Sequence, residues 1–164
     1  MSVVAVKIYV DKIVIGADSQ QTTGQLKDNT TKLIKVNDKF YFGHAGLGSE
    51  TMLFYAFSKT NVISEHNELT DIYDYLIKFT DYVKDKTTKY GLESDFIIVN
   101  NGKAFITSNT FYVKEIIDFA AIGSGREFAI TALHLGKTVE EAIKVACDLT
   151  IYCAEPITLF EIQK

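Results

Sequence analysis

The chain has 164 residues, 47% of them hydrophobic, with 9 Tyr and 11 Phe. That length suits a single domain over residues 1–164 with a real core, and the composition excludes disorder and favours strands. A formal charge of −4 gives no reason to expect nucleic acid or an anionic membrane as a partner.

Val3–Val10 and Ile13–Ala17 are β-branched runs broken only by Asp11-Lys12, which predicts a hairpin. The same two charges interrupt the apolar opening, which therefore lacks the n-region and h-region of a leader. No apolar run approaches the ~20 residues of a spanning helix, so a cytoplasmic protein is expected. Residues 19–31 read as a polar excursion. Lys32–Val36 and Phe40–His44 alternate around Asn37-Asp38 as a second hairpin. Gly46-Leu47-Gly48 breaks that strand, and Ser49 is placed to cap a helix carrying Met52, Leu53, Ala56 and Phe57.

Leu69, Ile72, Leu76, Phe79 and Val83 recur at helical spacing, with Gly91 as the stop. Phe96–Val99 and Ala104–Thr107 flank Asn100-Asn101-Gly102, a strong hairpin signal. Phe111–Val113 and Phe119–Ile122 are expected to extend that sheet. One helix runs from the Gly123-Ser124-Gly125 turn to Gly136. The next opens with Thr138 and Glu141 at capping-box spacing, and a strand closes the chain at Thr158–Ile162. Hairpins joined by helix pairs predict an α+β fold of two antiparallel sheets packed face to face, with helix pairs outside.

Cys147 and Cys153 read as reduced packing residues of one helix, pointing to different sides of it. The histidines His44, His66 and His134 show no metal-ligand spacing. The Gly123-Ser124-Gly125 turn before a helix could cradle a phosphate, but no Lys-Ser/Thr follows it.

The second residue is a candidate nucleophile. Removing Met1 would make Ser2 the terminus, joining a hydroxyl and a free amine on one residue as nucleophile and base. A reference α-amine has a pKa of about 7.7–8.0, so part of it is basic near neutrality. A lysine cation nearby would leave more of it unprotonated, and an acid would hold that lysine charged and in place.

The opening Ser2–Val6 strand, IVIGADSQQTTG (Ile13–Gly24), TKLIKVND with GHAG (Thr31–Gly46) and AIGSG (Ala121–Gly125) together resemble the proteasome β-subunit family. With DLTIYC (Asp148–Cys153) added, the likeness is nearest to the bacterial HslV-type branch. It spans almost the whole chain apart from the middle helix. The resemblance implies the four-layer αββα sandwich of N-terminal-nucleophile hydrolases and a peptidase working inside a closed homo-oligomeric ring.

By that likeness Ser2 takes the nucleophile's place, where most members have threonine. Asp18 matches the strand-end acid, Lys32 the lysine of the next strand and Ser124 the serine near the amine. Gly46 matches the glycine whose N–H stabilises the oxyanion. Thr22 falls where the backbone pairs with substrate, and His44 in the specificity pocket. Lys35 should face the other way from Lys32. Serine for threonine keeps the chemistry but loses the methyl that helps fix the rotamer. Thr150 and Cys153 stand where many proteasome subunits carry an acid.

The HslV-like branch holds a monovalent cation on backbone carbonyls at the places of Cys147, Thr150 and Cys153, which implies a structural sodium ion. No cofactor is required for the chemistry. The implied partners are unfolded polypeptide or peptide substrates and an ATP-dependent unfoldase. Two other readings are a catalytically silent shell or assembly protein on the same fold, with Met1 retained, and a small-molecule amidase.

Overall fold

The computed structural model describes residues 2–87 and 90–164. In chain order, Val4–Ile8 (β1) and Lys12–Ala17 (β2) form the opening hairpin, followed by Gln20–Thr23 (β3) and Leu26–Asn29 (β4). Leu33–Lys35 (β5) and Phe40–Ala45 (β6) lead into two helices, Gly48–Thr60 (α1) and Leu69–Thr87 (α2). Four strands follow: Asp95–Asn100 (β7), Lys103–Thr107 (β8), Val113–Glu115 (β9) and Phe119–Ile122 (β10). Arg126–His134 (α3), Val139–Leu149 (α4) and Thr158–Gln163 (β11) complete the chain.

The antiparallel strands assemble as a sheet in the order β10-β1-β2-β11 and another in the order β5-β6-β7-β8-β9. Val4, Val6, Ile13 and Ile15 of the first sheet meet Leu33, Tyr41, Ile97 and Val99 of the second in an inner core. On the outer face of the first sheet, Val3, Ala5 and Val14 pack against Ala129, Leu133, Ala142 and Ile143 of α3 and α4. On the outer face of the second, Phe42, Phe96 and Phe105 pack against Phe54, Ile72, Leu76 and Phe79 of α1 and α2. The result is the expected αββα sandwich. Strands covered on both faces read as continuous apolar runs, which is why the first hairpin lacks strict alternation.

Several local expectations hold. Asn101 and Gly102 take positive φ values of 44° and 75°, as a tight hairpin between β7 and β8 requires. Thr138 Oγ1 accepts from Glu141 N–H at 3.2 Å while Glu141 Oε2 accepts from Thr138 N–H at 2.9 Å, completing the capping box of α4. Gly91 has φ 81° beyond α2, whereas Thr88 and Lys89 lie outside the described residues.

Others are corrected. The polar excursion is a hairpin of its own, pairing Gln20 with Asn29 and Thr23 with Leu26. It stands off both sheets and is mostly exposed, so no hydrophobic alternation marks it. Only β9 extends the second sheet; β10 pairs with β1 of the first, and Phe111 turns with φ 63°. The helix α1 starts a residue before Ser49, with Leu47 at its N-cap and no side-chain cap. Cys153 is not helical, because α4 stops at Leu149.

Candidate active site

Ser2 is 4% exposed, which is unusual for a second residue and follows from three backbone ties. Val3 N–H donates to Asp18 Oδ1 at 2.8 Å, and Asp18 N–H returns a bond to the Val3 carbonyl at 3.1 Å. The Ser2 carbonyl accepts from Gly125 N–H at 3.1 Å. A Cβ at Gly123, where φ is 92°, would lie 2.3 Å from that carbonyl oxygen. The first glycine of the Gly-Ser-Gly turn is thus needed for the turn to press against Ser2, and that space belongs to protein rather than to a phosphate.

Behind Ser2 lies a buried ion pair. Lys32 Nζ is 2.7 Å from Asp18 Oδ1, with side-chain exposures of 2% and 0%. The Asp18 carboxylate accepts from Val3 N–H, Lys32 Nζ, Gln20 N–H and Ala154 N–H at 2.8, 2.7, 3.0 and 3.2 Å. That donor set compensates an anion removed from water. Burial lowers the Lys32 pKa from its ordinary value against the opposing attraction of Asp18. Lys35 faces the other way as expected, half-exposed and paired with Asp38 at 2.7 Å.

His44 is packed beside Lys32: its N–H donates to the Lys32 carbonyl at 3.1 Å, and its Nδ1 lies 3.4 Å from the same oxygen. Burial drives its pKa down to about 4, so the ring is neutral at pH 7.

Two adjoining hollows meet at Ser2 and Gly46. The smaller, about 220 Å³, is bordered by Gln20, Thr22, Lys32 and His44. The larger, about 410 Å³, is bordered by Asp95, Ser124, Arg126 and Glu127. Ser2, Lys32, Gly46, Ser124, Thr22 and His44 therefore all reach one cleft, while Asp18 stands behind it. Gly46 has φ 151°, and a Cβ there would lie 2.3 Å from Ser94 Oγ. Ser94 is fully buried, and its Oγ accepts from Leu47 N–H at 2.9 Å, fixing the peptide after Gly46. Sequence reading missed Ser94 and Gln20, since a loop serine and a glutamine in a polar stretch carry no distinctive signal.

Cys147, Thr150 and Cys153 border one cavity of about 510 Å³, together with Asp148, Glu155 and Lys27. Burial raises the Cys147 thiol to about 11 and the Cys153 thiol to about 12, so neither side chain is a thiolate ligand near neutrality. Among the described residues, no group of three or more His, Cys, Asp or Glu side chains could hold a metal ion. The charged side chains at this cavity are Asp148, Glu155 and Lys27, so its lining holds hard carboxylate oxygens of the kind an alkali cation takes and one lysine that opposes it.

The αββα sandwich is the fold of the N-terminal-nucleophile hydrolases, and here a buried serine at position 2 lines a cleft beside Lys32, with Asp18 behind it. The proteasome subunit family model matches residues 1–154. The ATP-dependent protease subunit HslV of a Nitratiruptor species is 35% identical, over 92% of this chain and 91% of that protein. The protein of the same description from Helicobacter pylori is 33% identical, over 90% of this chain and 88% of its own. Among solved structures, Thiobacillus denitrificans BPH in complex with epoxomicin superposes with TM-score 0.87 at 19% identity, covering 98% of both chains. Eukaryotic HslV from Trypanosoma brucei gives 0.71 at 19% identity, covering 99% of both. The chain belongs to the proteasome subunit family. Among the described residues, no helix is long and apolar enough to cross a membrane.

Proposed function

We propose that this chain is an HslV-like peptidase of the serine-variant, threonine-type N-terminal-nucleophile class, active after loss of Met1. The observation that carries the reading is the buried Lys32–Asp18 pair: Asp18 is tied through Val3 to Ser2, and Lys32 borders the cleft that Ser2 lines. Ser2 Oγ attacks the scissile carbonyl carbon while its proton passes to the residue's own α-amine. The Lys32 cation disfavours protonation of that amine, and Asp18 keeps the cation in place. The Gly46 N–H stabilises the oxyanion, a type of contact often worth ~3–4 kcal/mol.

Collapse of the tetrahedral adduct breaks the C–N bond as the ammonium returns its proton to the departing amine. Water, deprotonated by the same amine, then opens the seryl ester and restores Oγ–H. Ser124 holds the amine. An extended substrate pairs with the backbone near Thr22, and its side chain enters the hollow beside His44.

Carbonyls of Cys147, Thr150 and Cys153 would hold a sodium ion that ties the end of α4 to the loop after it. The chemistry itself needs no cofactor. Copies of the chain form a closed cytoplasmic ring that takes unfolded polypeptide or peptides, fed by an ATP-dependent unfoldase.

The test is turnover of small fluorogenic peptides by the Ser2→Ala protein. The variant should fold normally and lose cleavage entirely. Unchanged turnover contradicts the assignment, whereas an inert wild-type chain that keeps Met1 would be a silent shell protein.

A further inference from the structure

Gln20 sits where three parts of the site meet. Its backbone N–H donates to Asp18 Oδ2 at 3.0 Å, and its side-chain Nε2 donates to the Ile151 carbonyl at 2.9 Å. Ile151 belongs to the loop between α4 and β11. From that loop Ala154 N–H also donates to Asp18 Oδ2, at 3.2 Å, and the Ala154 carbonyl accepts from Ser19 N–H at 3.0 Å. The loop therefore supplies one of the donors that hold the catalytic carboxylate.

Besides the Ser19 N–H, the Ser19 hydroxyl donates to the Ala154 carbonyl at 3.4 Å, while among the described residues the side-chain bond that reaches the loop at Ile151 is that of Gln20. Leu149 at the end of α4 and Ile151 and Tyr152 of the loop are 64%, 81% and 43% exposed, so apolar burial anchors the loop further along, through Cys153 and Ile157. Gln20, by contrast, is 3% exposed, and its Oε1 is buried with no hydrogen-bond partner among the described residues. An acceptor buried without a partner is destabilising, so an apolar side chain would serve simple packing better. What the glutamine provides in return is the Nε2 bond to the loop.

We propose that Gln20 is a positioning residue: by holding the Ile151 carbonyl it keeps Ala154 N–H on Asp18, and so fixes the carboxylate that orients Lys32. The inference rests on the hydrolase reading for its kinetic consequence alone. Its structural half can be measured without any turnover.

The experiment compares the full chain with Gln20→Leu, which keeps apolar volume and removes the donor, and with Gln20→Met, whose unbranched shape serves if leucine does not fold. Amide hydrogen exchange at Ala154 should be slow in the unaltered chain and at least about tenfold faster in the variants, with Tm little changed. Against a small peptide substrate, kcat should fall about tenfold in both variants alike, as a misplaced catalytic group requires, whatever each side chain does to KM in the hollow that position 20 borders. Rapid Ala154 exchange in the unaltered chain overturns the proposal, whatever the variants do. So does unchanged exchange and kcat in a variant, or a loss of kcat that only follows a loss of stability. If exchange responds as expected but the unaltered chain cleaves nothing, the coupling stands and the hydrolase reading fails.

Discussion

Val3 and Asp18 are bonded twice, Val3 N–H to the Asp18 carboxylate at 2.8 Å and Asp18 N–H to the Val3 carbonyl at 3.1 Å. One aspartate thereby fixes both the backbone after Ser2 and, through the other face of the same oxygen, the Lys32 ammonium at 2.7 Å.

Asp18→Asn should therefore damage both stability and chemistry. An amide turns one acceptor into a donor among donors and strands Lys32 without a counter-charge. Breaking a buried pair in this way costs about 3–5 kcal/mol. Urea unfolding should show that loss, and peptide cleavage should disappear even where the variant is still folded. A midpoint within experimental error of the unaltered chain contradicts the assigned role.

Gly123→Ala is expected to displace Ser2. Its Cβ would lie 2.3 Å from the Ser2 carbonyl at φ 92°, a conformation that costs roughly 1–3 kcal/mol for a non-glycine residue even in open space. The kcat/KM for peptides should fall at least about tenfold, because the nucleophile moves rather than the pocket. Full activity would mean the turn does not locate Ser2.

His44 gives a dependence of stability on acid. Its pKa falls from 6.5 to about 4 on folding because burial opposes its charge. Between these values the unfolded chain binds the extra proton, so stability is complete above about pH 6.5 and is lost as pH falls towards 4. The full effect is on the order of 3 kcal/mol. His44→Gln should flatten the decline in urea midpoint between pH 7 and 4.5 relative to the parent. Parallel slopes would show that His44 does not titrate in that window.

The sandwich was legible because its doubly covered strands read as short apolar runs and α2 and α4 carry helical spacing, while the Thr138–Glu141 box and the Asn101-Gly102 turn carry local chemistry that tertiary context left alone. The β3–β4 hairpin was not legible, since a pair of exposed strands needs no apolar alternation. The partner of β10 was hidden for another reason: hairpin logic assigns a strand to its predecessor, whereas this chain crosses between sheets after Glu115. At the site, Asp18, Lys32 and Gly46 stood out only through their order along the chain. The side chains of Ser94 and Gln20 each meet backbone through one hydrogen bond, which no sequence spacing encodes.

The central claim is that residue 2 becomes the terminus and attacks. The most direct measurement is the intact mass of the peptide-cleaving protein, taken before and after a peptidyl electrophile that esterifies the nucleophile. The expected result is a chain lacking one methionine, with a single adduct mapped to Ser2. A cleaving protein that retains Met1, or an adduct mapped to any other residue, would contradict it.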